Sequence, residues 1–255
     1  MTTLTLSNIS KLYPARAGAD PLLAVDDVSF RVTQDEFCSI LGSSGCGKTT
    51  LLKMIAGFEK PTQGEIHVGD SRVRGPDWRR TVVFQDYALF PWMTAERNIG
   101  FGLEMKGVPK RERDHIIKEH IELVGLQGFE NVYPHQLSGG MKQRVAVARG
   151  LAVDPDVLLM DEPFAALDAQ NRELMQNEML RIWESERKMV VLVTHSIDEA
   201  IRLSDRIIVM TKGPGRIQEE IKVNAPRPRL EDDPEVMALK RRIRGLLEGN
   251  VTEAA

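Results

Sequence analysis

The sequence predicts an α/β fold built on a largely parallel sheet, and three features predict it. Residues 157–160 and 189–193 are continuously apolar runs bounded by charge or proline, the pattern of strands covered on both faces. Segments 49–57, 110–124, 138–152, 169–186 and 197–203 place apolar residues three and four apart, the period of an amphipathic helix. Phe37-Cys38-Ser39-Ile40-Leu41 is an apolar run that ends in glycines and passes into the first of those helices. Strands separated by helices in this way indicate a core whose strands run mainly parallel.

Taken from the N-terminus, segments 4–9 and 22–32 alternate apolar and polar residues, which suits an antiparallel β subdomain ahead of that core. From about residue 86 to 150 the chain reads as helices with no strong strand, so an α-helical insertion is expected there. After Val223 the run Asn224-Ala225-Pro226-Arg227-Pro228-Arg229 breaks regular structure, and residues 235–247 read as a short amphipathic helix. The expected division is one domain over 1–223, its helical subdomain at about 86–150, and a tail over 224–255. A packing helix, a dimer contact and a regulatory segment are all open readings of that tail.

Bulk properties exclude several classes. With 255 residues, 42% hydrophobic and 28% charged, the chain has the composition of an ordinary globular protein. A formal net charge of −3 provides no global field that would draw it onto nucleic acid, so no nucleic-acid partner is expected. The longest apolar runs fall far short of the roughly 20 residues that a spanning helix needs. Residues 1–10 lack both the basic start and the apolar block of a secretory signal, so a cytoplasmic location is expected. Cys38 and Cys46 have no Cys or His at metal-ligand spacing, which argues against a zinc site and a disulfide framework.

Gly42-Ser43-Ser44-Gly45-Cys46-Gly47-Lys48-Thr49 matches G-x-x-x-x-G-K-[ST] between an expected strand and an expected helix. Glycines let backbone N–H groups converge on phosphate oxygens, and the helix start adds partial positive charge. The fold class therefore narrows to a P-loop NTPase core. Residues Gly42 to Thr50 are assigned to the nucleotide, Lys48 to its β- and γ-phosphates and Thr49 to Mg²⁺. A plain glycine-rich turn with a solvated lysine would not require the strand before it and the helix after it. Cys46 has two readings, a thiol acidified by nearby amide dipoles or a small filler.

Val157-Leu158-Leu159-Met160 runs into Asp161-Glu162, a carboxylate pair at the end of a buried strand, where parallel-sheet proteins place their chemistry. Asp161 suits the Mg²⁺ shell, and Glu162 suits a general base acting on the attacking water. An isolated pair of this kind is more often a solvated strand end; coupled to the phosphate loop it reads as a site. His195 directly follows the strand at 189–193 and is the candidate to contact the γ-phosphate or orient the water.

Leu137-Ser138-Gly139-Gly140-Met141-Lys142-Gln143-Arg144 lies between these motifs. Alone it could be a capped helix start, since Ser138 is a good N-cap. In the order in which all the motifs stand, the sequence resembles the ATP-binding-cassette family over about residues 4–223. The resemblance implies that Tyr13 stacks on adenine and that Gln85 senses Mg²⁺ and the membrane partner. It also implies that Asp168, in Ala166-Leu167-Asp168, links opposed sites and that His195 is the switch histidine.

It further implies two copies head to tail, with Ser138, Gly139 and Gly140 of one covering the γ-phosphate held by Lys48 of the other. That is physically sensible, because a phosphate on one loop keeps an open face that a second set of amides can close. With one cassette and no spanning run, the expected arrangement is a homodimer at the cytoplasmic face of the membrane. Separate transmembrane permease subunits would contact the region after Gln85, and a solute-binding protein would feed them. Phe90-Pro91-Trp92 with Glu96 and Arg97 resembles the family's permease groove, although internal packing of Phe90 and Trp92 is an equal reading.

Within the family, Leu89-Phe90-Pro91-Trp92, Gly213-Pro214-Gly215-Arg216-Ile217 and the Pro226-Arg227-Pro228-Arg229 segment are similar to importers of the nitrate, sulfonate, taurine and bicarbonate type. The implied activity is ATP hydrolysis that energises uptake of a small anion. Met141, Ala165 and the stretch Thr94-Ala95-Glu96-Arg97-Asn98 depart from the usual family pattern, and none of them is a hydrolytic residue. The alternative is a soluble cassette ATPase acting on nucleic acid or the ribosome. Such proteins usually carry a long coiled-coil insertion or a second cassette, and this sequence has neither.

Overall fold

A computed structural model describes residues 2–15 and 20–252, so the end of the expected tail, residues 253–255, lies outside the described residues. The chain forms two compact units, one of Met1–Asp77 with Met189–Ala255 and one of Trp78–Lys188. The first unit begins with β1 (Thr3–Tyr13), β2 (Leu22–Thr33), β3 (Phe37–Leu41), α1 (Lys48–Ala56), β4 (Gln63–Val68) and β5 (Ser71–Arg72). The second contains β6 (Arg80–Val83), α2 (Ala95–Met105), α3 (Lys110–Leu123), α4 (Gly139–Ala152), β7 (Val157–Asp161) and α5 (Ala169–Glu186). The chain then returns to the first with β8 (Met189–Thr194), α6 (Ile197–Leu203), β9 (Arg206–Met210), β10 (Ile217–Lys222) and α7 (Pro234–Thr252).

In the first unit β1, β2, β4 and β5 form an antiparallel sheet in the order β2-β1-β4-β5. Beside Leu4 and Leu6, which are buried, the ladder with β2 shifts register between Leu6 and Ile9, where Asn8 adopts φ 50°. The Asn8 side chain donates to Asp27 Oδ1 at 2.9 Å across that irregularity, the usual way a short polar side chain tolerates left-handed backbone.

The parallel core of the same unit centres on β3, which pairs in parallel with β8 on one side and β9 on the other. Every residue of β3 and of β8 is buried, as their uninterrupted apolar runs require. The register sets Leu41 opposite Thr194, so the chain leaves both strands at the same level and the same end. That is the end at which a parallel sheet carries its ligands. β10 closes the edge antiparallel to β9. On one side, Ala200 and Ile201 of α6, Ile207 and Val209 of β9, and Val236 and Ile243 of α7 share an apolar cluster with Leu41.

In the second unit β6 and β7 run parallel, with Arg80 opposite Val157 and Val83 opposite Met160. α2 packs on both α3 and α4. Close approach is built into α2: a Cβ on Gly100 would sit 2.5 Å from Ile117 Cδ1, and one on Gly102 2.5 Å from Val153 Cγ1. Before α2, Tyr87 and Ala88 stand at φ 63° and 44°, two consecutive non-glycine residues in a region that usually costs energy. Two side chains hold this turn. The Arg149 guanidinium donates to Ala88 O at 2.7 Å and Tyr87 O at 2.9 Å. Fully buried Asn98 accepts from Phe90 N at 2.8 Å, and its Nδ2 faces the carbonyls of Phe90, Met93 and Thr94 at 3.0–3.2 Å.

Because fully buried Asn98 satisfies several partly buried backbone groups at once, Asn98→Leu should destabilise the protein by about 1–3 kcal/mol, the cost of orphaning such groups. Urea denaturation of variant and parent measures this. An unchanged midpoint would show that the turn is held by other contacts.

Candidate active site

The loop from Gly42 to Gly47 leaves the fully buried β3 and enters α1 without a side-chain cap and with no acidic residue in the first turn. A helix start of this kind can receive an external anion. Gly45 and Gly47 adopt φ 81° and 93°. At Gly47 a side chain is excluded twice over, since a Cβ there would also lie 2.6 Å from Ala24 O. Lys48 is buried at 5% exposure, and its Nζ donates to Gly42 O at 2.8 Å and Ser43 O at 3.0 Å. The loop therefore curls around its own ammonium group, while Ser43, Ser44, Gly45 and Thr49 remain exposed on the outside.

Cys46 is completely buried, 3.8 Å from Lys48 Nζ. Burial pushes its thiol up, against the opposing pull of Lys48, so the structure favours the filler reading over an acidified thiol. What lies behind Cys46 was not legible as a site. A Cβ on Gly215 would come within 2.1 Å of Cys46 O, and Gly215 exchanges hydrogen bonds with β2, its N–H donating to Ala24 O and its carbonyl accepting from Asp26 N, both at 3.0 Å. Gly215 and β2 are the backing plate of the loop. In the sequence the Gly213-Pro214-Gly215 segment marked only a likeness to one group of importers, and nothing local connected it to residue 46.

Tyr13, at the end of β1, donates its hydroxyl to Glu59 Oε2 at 2.6 Å and sits 3.4 Å from Thr50 Oγ1 in α1. Burial and the Glu59 carboxylate raise the phenol above its ordinary range. Lys11 Nζ lies 5.1 Å from the centre of the ring. The tyrosine proposed to meet the base is therefore held beside α1, the helix that follows the phosphate loop, chiefly by Glu59 just beyond that helix. His195 is exposed one residue beyond Thr194, which pairs with Leu41 just before Gly42. Around it, the buried Thr194 hydroxyl donates to Glu199 Oε2 at 2.7 Å and accepts from Ser196 N at 3.0 Å, while Ser196 Oγ accepts from Glu199 N at 3.3 Å. Tyr13, the loop and His195 thus belong to one unit.

Gln85, Ser138, Gly139, Gly140, Asp161, Glu162 and Asp168 belong to the other. Asp161 ends β7 and Glu162 follows it, both half-buried, with Glu162 at φ 46°. A non-glycine residue held there stores strain of the kind that accumulates where a side chain must be aimed. Gln85 is exposed immediately before the turn that Arg149 holds. Ser138 caps α4, its Oγ accepting from Met141 N at 3.3 Å. A Cβ on Gly139 would crowd Leu167 Cδ2 at 3.3 Å and the Tyr87 hydroxyl at 3.4 Å, so the glycine pair keeps the helix start narrow. Asp168 caps α5, and hydrogen bonds from Asn171 N and Nδ2 hold its carboxyl below the usual range. Arg149, which no motif marked, is a residue that the sequence did not single out.

A parallel strand that opens through a glycine loop into a helix, with a buried lysine in the curl, defines a P-loop ATPase. Residues 25–165 match the ABC transporter family. The chain is 49% identical over 251 residues to an uncharacterized ABC transporter ATP-binding protein of Methanocaldococcus jannaschii, covering 98% of this chain and 93% of the relative. It is 48% identical over 223 residues to a taurine import ATP-binding protein of Roseobacter denitrificans, covering 88% and 83%. It is 39% identical over 259 residues to a nitrate import ATP-binding protein of Synechocystis, covering 98% and 97%. A solved dimeric ATP-binding cassette in a post-hydrolysis state, bound to ADP and phosphate, is 33% identical with a TM-score of 0.73, covering 88% of this chain and all of that one. This chain belongs to the ABC transporter family.

Gly215→Ala should press a methyl group into the phosphate loop, weakening ATP binding by roughly 10-fold and stability by about 1–3 kcal/mol. Gly213→Ala, where a Cβ meets nothing within 4 Å, is the matched control. Titration calorimetry with ATP checks both. Equal affinities for the two variants would remove Gly215 from the loop's support.

Proposed function

We propose that the chain is the ATP-hydrolysing subunit of an importer for a small anion of the taurine or nitrate kind. It acts as a homodimer at the cytoplasmic face of the membrane, beneath separate permease subunits served by a solute-binding protein. The observation that carries the reading is the phosphate loop, a curl around a buried Lys48 with Ser43, Ser44 and Gly45 exposed on its outer side, in a chain that aligns with import ATP-binding proteins over most of its length. Among the described residues no helix is long and apolar enough to cross a membrane. The proposal gives the solute path to the permeases.

In this reading the amides of the loop and the Lys48 ammonium hold the β- and γ-phosphates, and the ring of Tyr13 meets the adenine. Among the described residues no group of three or more His, Cys, Asp or Glu is placed to hold a metal. Scattered oxygen donors fit Mg²⁺, which is held through one or two carboxylates and completes its shell largely from phosphates and water. Thr49, Asp161 and Gln85 are the proposed donors. When bound, Mg²⁺ neutralises charge on the phosphate oxygens.

Glu162 is proposed to accept the proton of the attacking water, with its carboxylate aimed by the left-handed backbone at that residue. His195 is proposed to orient the water or the γ-phosphate. Ser138, Gly139 and Gly140 present the start of α4 to the nucleotide held by a second copy, and Asp168 faces the opposed site in that dimer. Trp92, 67% exposed and 5.7 Å from the half-buried ring of Phe90, is proposed as an anchor for the permease. The two readings of this pair are therefore combined: Phe90 packs on Phe101, and Trp92 faces out.

Glu162→Gln preserves shape while removing the base, so hydrolysis should fall by roughly 10²-fold or more with ATP binding retained. ATP should then trap a dimer on size-exclusion chromatography. A variant with parental turnover would remove Glu162 from the role of base.

A further inference from the structure

The C-terminal segment grips α6 at both ends. α6 has only seven residues, too few to be stable by itself, and its last turn ends at Ser204 without a glycine cap. Arg229, 7% exposed, donates through Nη1 to Ile201 O at 2.6 Å and Ser204 O at 2.7 Å, and through Nε to Ala225 O at 2.8 Å. Arg227 Nη2 donates to Leu203 O at 2.5 Å. The terminal carbonyls of α6 are thus met by two guanidinium groups, where the helix dipole favours positive charge. Burial, with Arg227 nearby, pushes Arg229 down to about 10, which leaves it charged at neutral pH.

At the other end of α6, Lys240 of α7 pairs with Asp198 at 2.5 Å. This pair is partly exposed and contributes direction more than energy. Between the two ends, Val236 and Ile243 of α7 are buried in the same cluster as Ala200 and Ile201 of α6, with Leu239, Leu246 and Leu247 packed against it. Arg227 also reaches the parallel core: its Nη1 pairs with Asp205 Oδ1 at 2.7 Å, while Asp205 Oδ2 accepts from Phe37 N at 2.9 Å at the start of β3.

His195 occupies the joint between β8 and α6, one residue before the cap Ser196. One side of that joint is set by the sheet, the other by wherever α6 is held. We propose that the segment from Ala225 through α7 is a positioning device for His195, with Arg229 as its principal positioning residue. It acts on hydrolysis by fixing α6, and it does not itself touch the nucleotide. This rests on the proposed role of His195 in turnover. A segment that only adds stability would make the same contacts, so the test must separate positioning from folding.

The test uses full-length protein in four variants: Arg229→Met, the milder Arg229→Lys, His195→Ala and the double variant His195→Ala with Arg229→Met. ATPase rates are measured well below each melting temperature. Displacing a positioned group lowers the rate without altering nucleotide affinity, so Arg229→Met should lose on the order of 10-fold in kcat with KM for ATP unchanged, and Arg229→Lys should lose less. In the His195→Ala background, Arg229→Met should cause no further loss of the residual rate. Should Arg229→Met fail to fold, Arg229→Lys in the same two backgrounds carries the comparison. Parental kcat in a folded Arg229 variant, or losses that add to those of His195→Ala, would overturn the inference and leave the proposed function standing. Parental turnover in His195→Ala would overturn both the role of His195 and this inference.

Discussion

A lysine ammonium buried among the carbonyls of its own loop is the contact on which the rest of the structure depends. Lys48 draws Gly42 O and Ser43 O inward at 2.8 and 3.0 Å, and the loop's outer residues are left open as a consequence. Such a curl needs support on the inside, because a backbone bent this tightly has no sheet ladder of its own. The support is other backbone: Ala24 of β2 and Gly215, both so close that no side chain fits between. The register of β3 on β8 then brings His195 to the same level. The shape of the loop and the level of His195 beside it therefore follow from strand pairing and from two close backbone contacts.

Much of this was legible in the sequence, because the informative residues sit close together along the chain. A motif of eight residues identifies the loop, since its glycines, lysine and threonine all lie in one strand-to-helix turn. Buried parallel strands announce themselves by apolar runs, and β3, β7 and β8 lie where those runs stand. The antiparallel sheet was legible in part, from alternation in β1 and β2. β4 was harder: Gln63, Gly64, Glu65 and His67 leave it few apolar residues, and it becomes a strand by pairing with β1. β9 carries the apolar run Ile207-Ile208-Val209-Met210 right after α6, where only the helix had been recognised.

Residues that work at long range were the ones the sequence concealed. Arg149 and the turn it holds are 61 and 62 positions apart, and Gly215 is far from Cys46 in the chain. Arg229 lies 25–28 positions beyond the carbonyls of α6 that it caps. In sequence, Pro226-Arg227-Pro228-Arg229 marked an interruption and a likeness to one group of importers, with no role for either arginine; in the fold, both arginines turn back onto the core. The helix after them runs from Pro234 to Thr252, longer than the expected 235–247, and its apolar side from Val236 to Leu247 packs on the cluster beneath it. A tail with few motifs can therefore reach α6 through hydrogen bonds and packing made far along the chain.

The most direct test is a crystal structure of the protein grown with Mg²⁺ and a non-hydrolysable ATP analogue. The Lys48 ammonium should leave the carbonyls of Gly42 and Ser43 and bind the β- and γ-phosphate oxygens, with the amides of residues 45–49 pointing at the same groups. An ammonium still on those two carbonyls, with the nucleotide bound elsewhere, would contradict the assignment of this loop to phosphate and everything built upon it.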